Sequence, residues 1–451
     1  MTRKGEASLE ANPLPTVHPN AAGLDIGSEE IWVAVPADRD AHPVQKFGTY
    51  TPDLYALADW LQRCRIETVA MESTGVFWVP IFEILEARGF EAQVVNARHL
   101  KQVPGRKTDV QDSQWIQRLH SFGLLTGSFR PDAEIRVLRS YLRHRATLIE
   151  YRAAHIQHMQ KALQQMNVQL TQVVKDITGQ TGLAIIRAIL AGERNPETLA
   201  ALRNGRCAKD EPDFVKALTG NYREEHLFAL KQAVELYDFY TTQLRACDAE
   251  IERQFSVLKP ERAEPLPPLE RDAKAKPKSK NAPTYDAREL LYQIVGVDLV
   301  AISGLNESSV QTILTEAGID MTPFANDKHF GSWLGLAPHN DISGGKVLRR
   351  HTLKNHNRAG QAFRIAAESV SRKKDGLGAY YRRQRARLGP QKAIVATAYK
   401  LARIYYHMLK ERTAFNPMSD EAYEKQVRER ELANLKKKAA KLGFTVVAAI
   451  A

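Results

Sequence analysis

Short apolar runs alternate with longer amphipathic stretches between Ala21 and about Gly127. Four apolar runs predict β-strands: AGLDIG, IWVAVP, TVAMES and AQVVN. Three other stretches have helical periodicity: LYALADWLQRC, VPIFEILEARG and DVQDSQWIQRLHSFG. Strands that alternate with helices of this length predict an α/β domain over residues 21–130, with helices packed on a sheet. Residues 1–20 are polar and contain three prolines, so we expect a disordered leader.

The next segment, residues 131–258, contains a seven-residue hydrophobic repeat. Its first position holds Ile135, Leu142, Ile149, Ile156, Leu163, Leu170 and Ile177, and its fourth holds Leu138, Met159, Met166 and Val173. Such a repeat predicts a helical coiled coil, because it keeps one seam facing a partner helix. Arg145 and Arg152 interrupt the seam, so its N-terminal part is open to a partner that is not hydrophobic. A second set fits either a returning arm or another subunit's helix: Leu230, Tyr237, Leu244, Ile251 and Leu258.

Composition changes sharply after the predicted coiled coil. Proline and lysine dominate residues 259–288, where apolar residues are few, and this predicts a linker. The sequence of residues 289–415 predicts a mainly helical, basic C-terminal domain. Residues 416–451 include KKKAAK and are expected to form a peripheral basic tail.

The charge balance narrows the class of partner. The chain has 64 Lys and Arg against 52 Asp and Glu, a net charge of +12, which indicates a polyanionic partner. No apolar run reaches the roughly 18 residues that span a bilayer, so nucleic acid is favoured over a membrane. Three isolated cysteines without a CxxC pair predict neither disulfides nor a cysteine zinc site, and a reducing cytoplasm is the simplest compartment.

Four carboxylates stand where predicted elements of the first domain begin or end. Asp25 and Glu72 end apolar strands, and Asp109 and Asp112 open a helix with i, i+3 spacing, which places both on one helical face. Because such ends can converge, the four acids predict an oxygen-rich site for Mg²⁺ or Mn²⁺. The alternative is that Asp109 and Asp112 only stabilise a helix N-terminus and that Asp25 is an ordinary turn residue.

Two blocks of sequence resemble a known family. GLDIGSEEIWVAV and AMESTGVFWVPIFEILEARGFEAQVVNARHLKQVPGRKTDVQDSQWI resemble the RuvC-like DEDD domain of the insertion sequence 110 transposases. SWLGLAPHNDISGGKVLRRHTLKNHNRAGQAFRIAAESV resembles the second signature of the same family. The resemblance implies a RuvC-like (RNase H-like) N-terminal domain, a mainly α C-terminal transposase domain, and an enzyme that cuts and rejoins DNA in a bacterial cytoplasm.

The resemblance also implies roles for individual residues. The acidic tetrad falls on Asp25, Glu72, Asp109 and Asp112, and the serine that attacks a DNA phosphate falls on Ser343. It further implies a covalent phosphoserine intermediate, a composite site built from two subunits, and a structured bridging RNA that selects donor and target DNA.

The surroundings of Ser343 agree with that role in part. Gly344 and Gly345 would let a phosphate approach the backbone, and cations that follow could neutralise it: Lys346, Arg349, Arg350 and His351. No local base is evident to activate the hydroxyl. Without the resemblance, a flexible Ser-Gly-Gly turn beside a basic face is the simpler interpretation.

Other segments predict nucleic-acid contacts. LLYQIVGVDLVAISGL resembles a helix-hairpin-helix, although Asp298 replaces a usual glycine. Tyr380 and Tyr381 are interleaved with arginines and could stack on unpaired bases, the alternative being a solvated helix face. The candidate nucleic-acid-binding residues are Lys101, Arg106, Lys107, Lys346, Arg349, Arg350, Lys354, Arg358, Arg382 and Arg383. Three histidines, His99, His351 and His356, are assigned no metal.

Two other functions remain open at this stage. A Holliday-junction or structure-specific nuclease would use the same carboxylates to activate water, with Ser343 structural. A non-catalytic architectural protein would need only the coiled coil and the basic face. For the recombinase we expect a homodimer that pairs into a tetramer on DNA.

Overall fold

The computed structural model describes residues 15–72, 75–95, 109–262, 264–271, 279–352 and 357–447. The chain divides into two compact units, one ending at Arg130 and one beginning at Pro131. Each unit is described by itself.

The first unit contains a five-stranded sheet. Its strands are β1 (Ala21–Ile26), β2 (Glu30–Ala34), β3 (Val44–Gly48), β4 (Thr68–Glu72) and β5 (Glu91–Val95), in the order β3-β2-β1-β4-β5. β2 is antiparallel to both β1 and β3, whereas β4 runs parallel to β1 and β5 parallel to β4. The mixed α/β domain is confirmed. β3 was not predicted, because this edge strand is only half-buried and its sequence, VQKFG, lacks an apolar run.

Helices cover both faces of this sheet. α1 (Thr51–Arg63) and α2 (Trp78–Ala87) pack on one face, where Leu24 and Met71 lie in the same fully buried core as Leu57 and Ile81. α3 (Asp109–Ser121) packs on the other face, where Ile116 contacts Ala70 and Val95. Because both faces are covered, β1 and β4 are apolar almost throughout rather than alternating.

The end of the predicted leader is attached to this unit. Residues 1–14 lie outside the described residues, but the backbone amides of Val17 and His18 both donate to the Ser121 carbonyl. His18 stacks on His120, with ring centroids 5.1 Å apart, and Nε2 of His120 lies 2.9 Å from Oγ1 of Thr68. His120 therefore joins the end of α3 to the start of β4. Burial, assisted by the nearby His18, lowers the pKa of His120 to about 4.

The second unit is mostly helical. Its helices are α4 (Ala133–Gln165), α5 (Leu170–Val173), α6 (Gln180–Leu190), α7 (Pro196–Ala200), α8 (Glu211–Leu218), α9 (Glu224–Val257), α10 (Ala287–Val295), α11 (Glu307–Ala317), α12 (Asp327–Trp333), α13 (Arg358–Val370), α14 (Gly376–Leu388), α15 (Pro390–Glu411) and α16 (Asp420–Lys441). β6 (Pro338–Ser343) and β7 (Lys346–Thr352) form a separate two-stranded antiparallel sheet. No helix in the described part of the chain is long and apolar enough to cross a membrane.

The long helices α4 and α9 form an antiparallel pair within the chain. Cys247 contacts the Tyr141 carbonyl near one end, and Tyr240 packs against Tyr151 further along. The second heptad set is thus the returning arm. The predicted repeat does not continue in one helix beyond Gln165, because Asn167 adopts a positive φ of 54°. The repeat positions beyond it, Leu170, Val173 and Ile177, instead enter a compact core formed with α6 to α9.

The arginines that interrupt the heptads are buried in the α4–α9 seam. Nε of Arg145 lies 2.5 Å from Oδ1 of Asp248, whose other oxygen accepts a hydrogen bond from the Thr284 amide. Arg152 donates to Oδ1 of Asn281 at 2.8 Å. The end of the segment predicted as a linker therefore packs against the helix pair, and Tyr285 is buried there.

The remaining helices pack around α15. Its Tyr405 and Tyr406 are fully buried and pack against Phe330 of α12. The segment that resembles a helix-hairpin-helix forms most of α10 and a turn of 3-10 helix over Leu299–Ala301, and α11 begins two residues after it. Asp298 caps the 3-10 turn and forms an ion pair with Arg288, which gives this residue a structural role.

The buried ion pair predicts a large difference between two substitutions on α9. Asp248→Ala leaves Arg145 buried without its carboxylate and should cost about 3–5 kcal/mol in the free energy of unfolding. Asp238, on the same helix as Asp248, forms a solvent-exposed ion pair with Arg187 of α6. Asp238→Ala removes this pair and should cost less than about 1 kcal/mol in the free energy of unfolding. Urea unfolding of the two variants measures both values. Equal costs would contradict the assignment of Arg145 and Asp248 to the core.

The environment of His120 predicts a pH dependence of stability. With a pKa of about 4 in the fold and about 6.5 when unfolded, His120 takes up a proton on unfolding between these values. Stability should therefore fall as pH drops from 6.5 towards 4, by up to about 3 kcal/mol from this group. His120→Gln should flatten this part of the profile, whereas His144→Gln, at an exposed position, should not. Parallel urea titrations at several pH values test this, and an unchanged slope in His120→Gln would refute it.

Candidate active site

Asp25 and Glu72 occupy adjacent positions on neighbouring parallel strands. Leu24 pairs with Met71, so the next residues of the two strands, Asp25 and Glu72, lie side by side. Their backbones are about 4.8 Å apart, the usual spacing between neighbouring strands. Both are half-buried. By strand alternation they share the sheet face of Gly23 and Ala70, which is the face covered by α3.

The direction of α3 brings its first turn to the same end of the sheet. Gln117 donates to the Ala21 carbonyl, and Gly23 lies against Ser113 and Gln117, so α3 runs antiparallel to β1. The helix start, at Asp109, thus points towards the strand ends that bear Asp25 and Glu72. Asp112 is half-buried one turn into the helix.

The close approach of α3 to β1 depends on a glycine. A Cβ at position 23 would lie 2.5 Å from the Ser113 carbonyl oxygen and closer still to the Gln117 backbone nitrogen. Both are backbone atoms of a helix, which cannot move away as a flexible side chain can. Gly23 therefore determines how closely α3, the helix that contains Asp109 and Asp112, can approach β1.

Ser343 lies at the tip of the β6–β7 hairpin in the second unit. It pairs with Lys346 across a two-residue turn in which Gly344 and Gly345 have φ values of 54° and 75°, as a tight type I′ turn requires. Ser343 and Lys346 are exposed. Asp341, two residues before Ser343 on β6, lies on the same face as Ser343, and its cross-strand partner is Arg349, because the register of the ladder shifts by one residue between Asp341 and Ile342.

A group of three side chains on this hairpin was not predicted. Asp341 lies between two imidazoles, 3.7 Å from Nε2 of His339 and 3.8 Å from Nδ1 of His351. The two rings are cross-strand partners with centroids 5.1 Å apart. The sequence does not show which residue faces His351 across the hairpin, so it did not predict a group of side chains that includes His351. The alternation H-x-D before the Ser-Gly-Gly turn is the only sequence signal for the group.

The predicted nucleic-acid-binding residues fall into different environments. Arg358 is the first residue of α13 and is exposed, as are Lys346 and Arg349 on the hairpin. Four of the predicted residues lie outside the described residues: Lys101, Arg106, Lys107 and Lys354. The histidines His99 and His356 lie there as well. Arg350 lies in β7, and only its backbone is described.

The interleaved tyrosines and arginines of α14 contact α16. Arg382 donates to Oδ2 of Asp420 at 2.5 Å, and Arg383 forms an ion pair with Glu431. Tyr381 is buried, and Tyr380 packs against Tyr423 with the Lys400 ammonium over its ring. The prediction that both tyrosines stack on bases is therefore wrong for Tyr381, whose burial helical spacing alone did not reveal.

Comparison with known families gives the class of protein. A family of transposases of the DEDD type matches residues 22–168, and the transposase family IS116/IS110/IS902 matches residues 298–382. The first match includes Asp25, Glu72, Asp109 and Asp112, and the second includes the hairpin with Ser343. A comparison with curated proteins gives no match.

The two matches together identify a transposase, an enzyme that cleaves and rejoins DNA by phosphoryl transfer. They span just over half of the chain in the expected order, and the chain belongs to the IS110 family. Its function is DNA transposition, so DNA is a partner. DEDD-type transposases commonly use divalent metal ions.

The packing at Gly23 predicts that this position controls the site. Gly23→Ala should displace α3, lower the free energy of unfolding by about 1–3 kcal/mol, and strongly reduce transposition. Gly205→Ala is the matched control, because a Cβ there meets nothing within 4 Å. Urea unfolding and a DNA strand-exchange assay measure the two effects. A Gly23→Ala variant with wild-type stability and activity would show that α3 does not lie this close to β1.

Proposed function

We propose that the first unit is a RuvC-like (RNase H-like) domain whose four carboxylates hold Mg²⁺ or Mn²⁺. The observation that supports this is the placement of Asp25 beside Glu72, at the end of the sheet where α3 begins; Asp112 is half-buried in the first turn of that helix, and only the backbone of Asp109 is described. Oxygen donors of this kind suit hard divalent ions. Several half-buried acids brought together also repel one another unless a cation balances their charge. A bound ion would supply charge stabilisation for a reacting phosphate.

We further propose that Ser343 is the nucleophile. Its Oγ attacks a DNA phosphorus, a new O–P bond forms, and the bond from phosphorus to the leaving DNA oxygen breaks. The hydroxyl proton is lost and the departing oxygen is protonated. The reverse step, with a different DNA hydroxyl as attacking group, releases the serine and joins the new strands.

The hairpin offers what this step needs from the protein. An exposed serine at a Gly-Gly turn is accessible to a phosphate that no side chain of the turn obstructs. Lys346 stands directly opposite, and Arg349 projects from the same face, so two cations can bind the phosphate oxygens and the charge that develops on them. His339, Asp341 and His351 lie further from the tip.

The serine and the carboxylates belong to different units, which supports a composite site. We infer that the site assembles from two subunits of a homodimer, and that dimers pair into a tetramer on donor and target DNA. The net charge of +12 is in keeping with two polyanionic partners, the DNA and a bridging RNA that selects both sites.

The covalent intermediate is the direct test of the serine. The protein is incubated with RNA from the flanks of its element, Mg²⁺ and labelled donor and target DNA, and protein–DNA adducts are separated on a denaturing gel. We expect an adduct in the wild type and in Ser369→Ala, which alters an exposed serine of α13. Ser343→Ala should form none. Asp25→Asn should reduce adduct formation by at least about 100-fold, as loss of a central catalytic group does.

The same gel separates recombination from hydrolysis. Cleaved DNA without an adduct, together with full activity of Ser343→Ala, would overturn the serine mechanism and favour a metal-dependent nuclease.

A further inference from the structure

We propose that His339, Asp341 and His351 form a binding site for a divalent transition-metal ion of the zinc type, separate from the four carboxylates of the first unit. All three side chains project from one face of the β6–β7 hairpin. His339 and His351 face each other across the two strands, and Asp341 is two residues from His339 on β6.

The distances suit a shared ion after a small adjustment. One ligand atom from each residue lies within 4.8 Å of the others. Zinc bonds of roughly 2.0–2.2 Å in tetrahedral geometry require ligand atoms about 3.3 Å apart. The group must therefore contract by about 1.5 Å at most, which rotation of half-exposed side chains achieves without moving the strands.

The donor set separates this site from the carboxylate tetrad. Two imidazoles and one carboxylate favour zinc and its neighbours in the first transition row, whereas Mg²⁺ prefers oxygen ligands. The side chains of His339, Asp341 and His351 are 52%, 44% and 32% exposed, so water can occupy the remaining coordination position.

A second observation concerns the inner histidine. Nδ1 of His351 is buried and makes no hydrogen bond within the described part of the chain. The Asp341 carboxylate, 3.8 Å away, is too distant to satisfy it. A buried polar atom without a partner is costly, and a metal ion bound between His351 and Asp341 would satisfy it.

The consequence is a fixed hairpin under Ser343. Two strands without further neighbours are marginally stable, and an ion held from both strands ties them in register. Asp341 is two residues before Ser343, so the ion would position the serine without contacting it. The role is structural and does not depend on the reaction that Ser343 performs.

Zinc binding by the full-length chain tests the proposal. The protein is stripped with a chelator and titrated with Zn²⁺ in excess Mg²⁺, which occupies the oxygen-rich site, and Co²⁺ serves as a visible-absorption probe of coordination. We expect one tight equivalent of Zn²⁺ in the wild type. His351→Ala and His339→Ala should each weaken it by more than about 10-fold, since even groups that only support ligands have effects of this size.

The controls separate this site from other histidines and from the catalytic tetrad. His329→Ala, at an exposed position of the same unit, and Glu72→Gln should both retain the tight equivalent. Hydrogen exchange at the β6–β7 amides should slow on adding Zn²⁺ in the wild type but not in His351→Ala. Wild-type affinity in His351→Ala, or loss of the equivalent in Glu72→Gln alone, would overturn the proposal. Failure of adduct formation through Ser343 would leave it intact.

Discussion

The approach of helix α3 to strand β1 is the contact on which the first unit depends. Gly23 permits it, and the hydrogen bond from Gln117 to the Ala21 carbonyl fixes the helix along the strand. At the far end, His120 joins the helix to β4 through Thr68. With the middle and the C-terminal end of α3 fixed in this way, the helix axis directs its first turn towards the ends of β1 and β4. The position of the acids is thus a consequence of backbone packing more than of the acids themselves.

The two halves of the chemistry rest on supports of very different stiffness. Asp25 and Glu72 extend from a sheet whose faces are both covered, and Asp109 and Asp112 belong to a helix packed on that sheet. Ser343 stands on an exposed two-stranded hairpin, at a glycine turn where, among the described residues, no atom lies within 4 Å of either glycine's Cβ position. A rigid support suits a fixed cluster of carboxylates, whereas the proposed nucleophile would need to project from the protein to reach a phosphate on a large duplex. A metal ion bound by residues of both strands would let the hairpin project from the protein while keeping its two strands in register.

The sequence predicts those features that depend on neighbouring residues in the chain, and it misses those that depend on contacts between distant segments. The strands that bear Asp25 and Glu72 are apolar runs with clear ends, so their acids were found without tertiary information. The heptad set beyond Gln165 was assigned to a long helix, because a hydrophobic repeat is equally satisfied by separate short helices that share one core. The His339, Asp341 and His351 group depends on pairing across a turn with a register irregularity near Asp341, which no periodicity in one strand reveals. The contact of Tyr380 with Tyr423 depends on α16, some forty residues further along the chain.

The net charge is a second case in which the sequence alone does not show the environment of individual side chains. A total of +12 correctly indicates a polyanionic partner, yet several arginines are committed inside the fold. Arg139 and Arg143 both pair with the nearly buried Glu316, which joins α4 to α11, and Arg145 pairs with Asp248. Removing such arginines would weaken DNA binding only through the loss of structure. The cations free to contact a phosphate are those that project without an acidic partner in the described chain, and the hairpin with Lys346 and Arg349 presents two of them beside Ser343. The proposed nucleophile and the cations proposed to bind its phosphate therefore lie in one short segment of the chain.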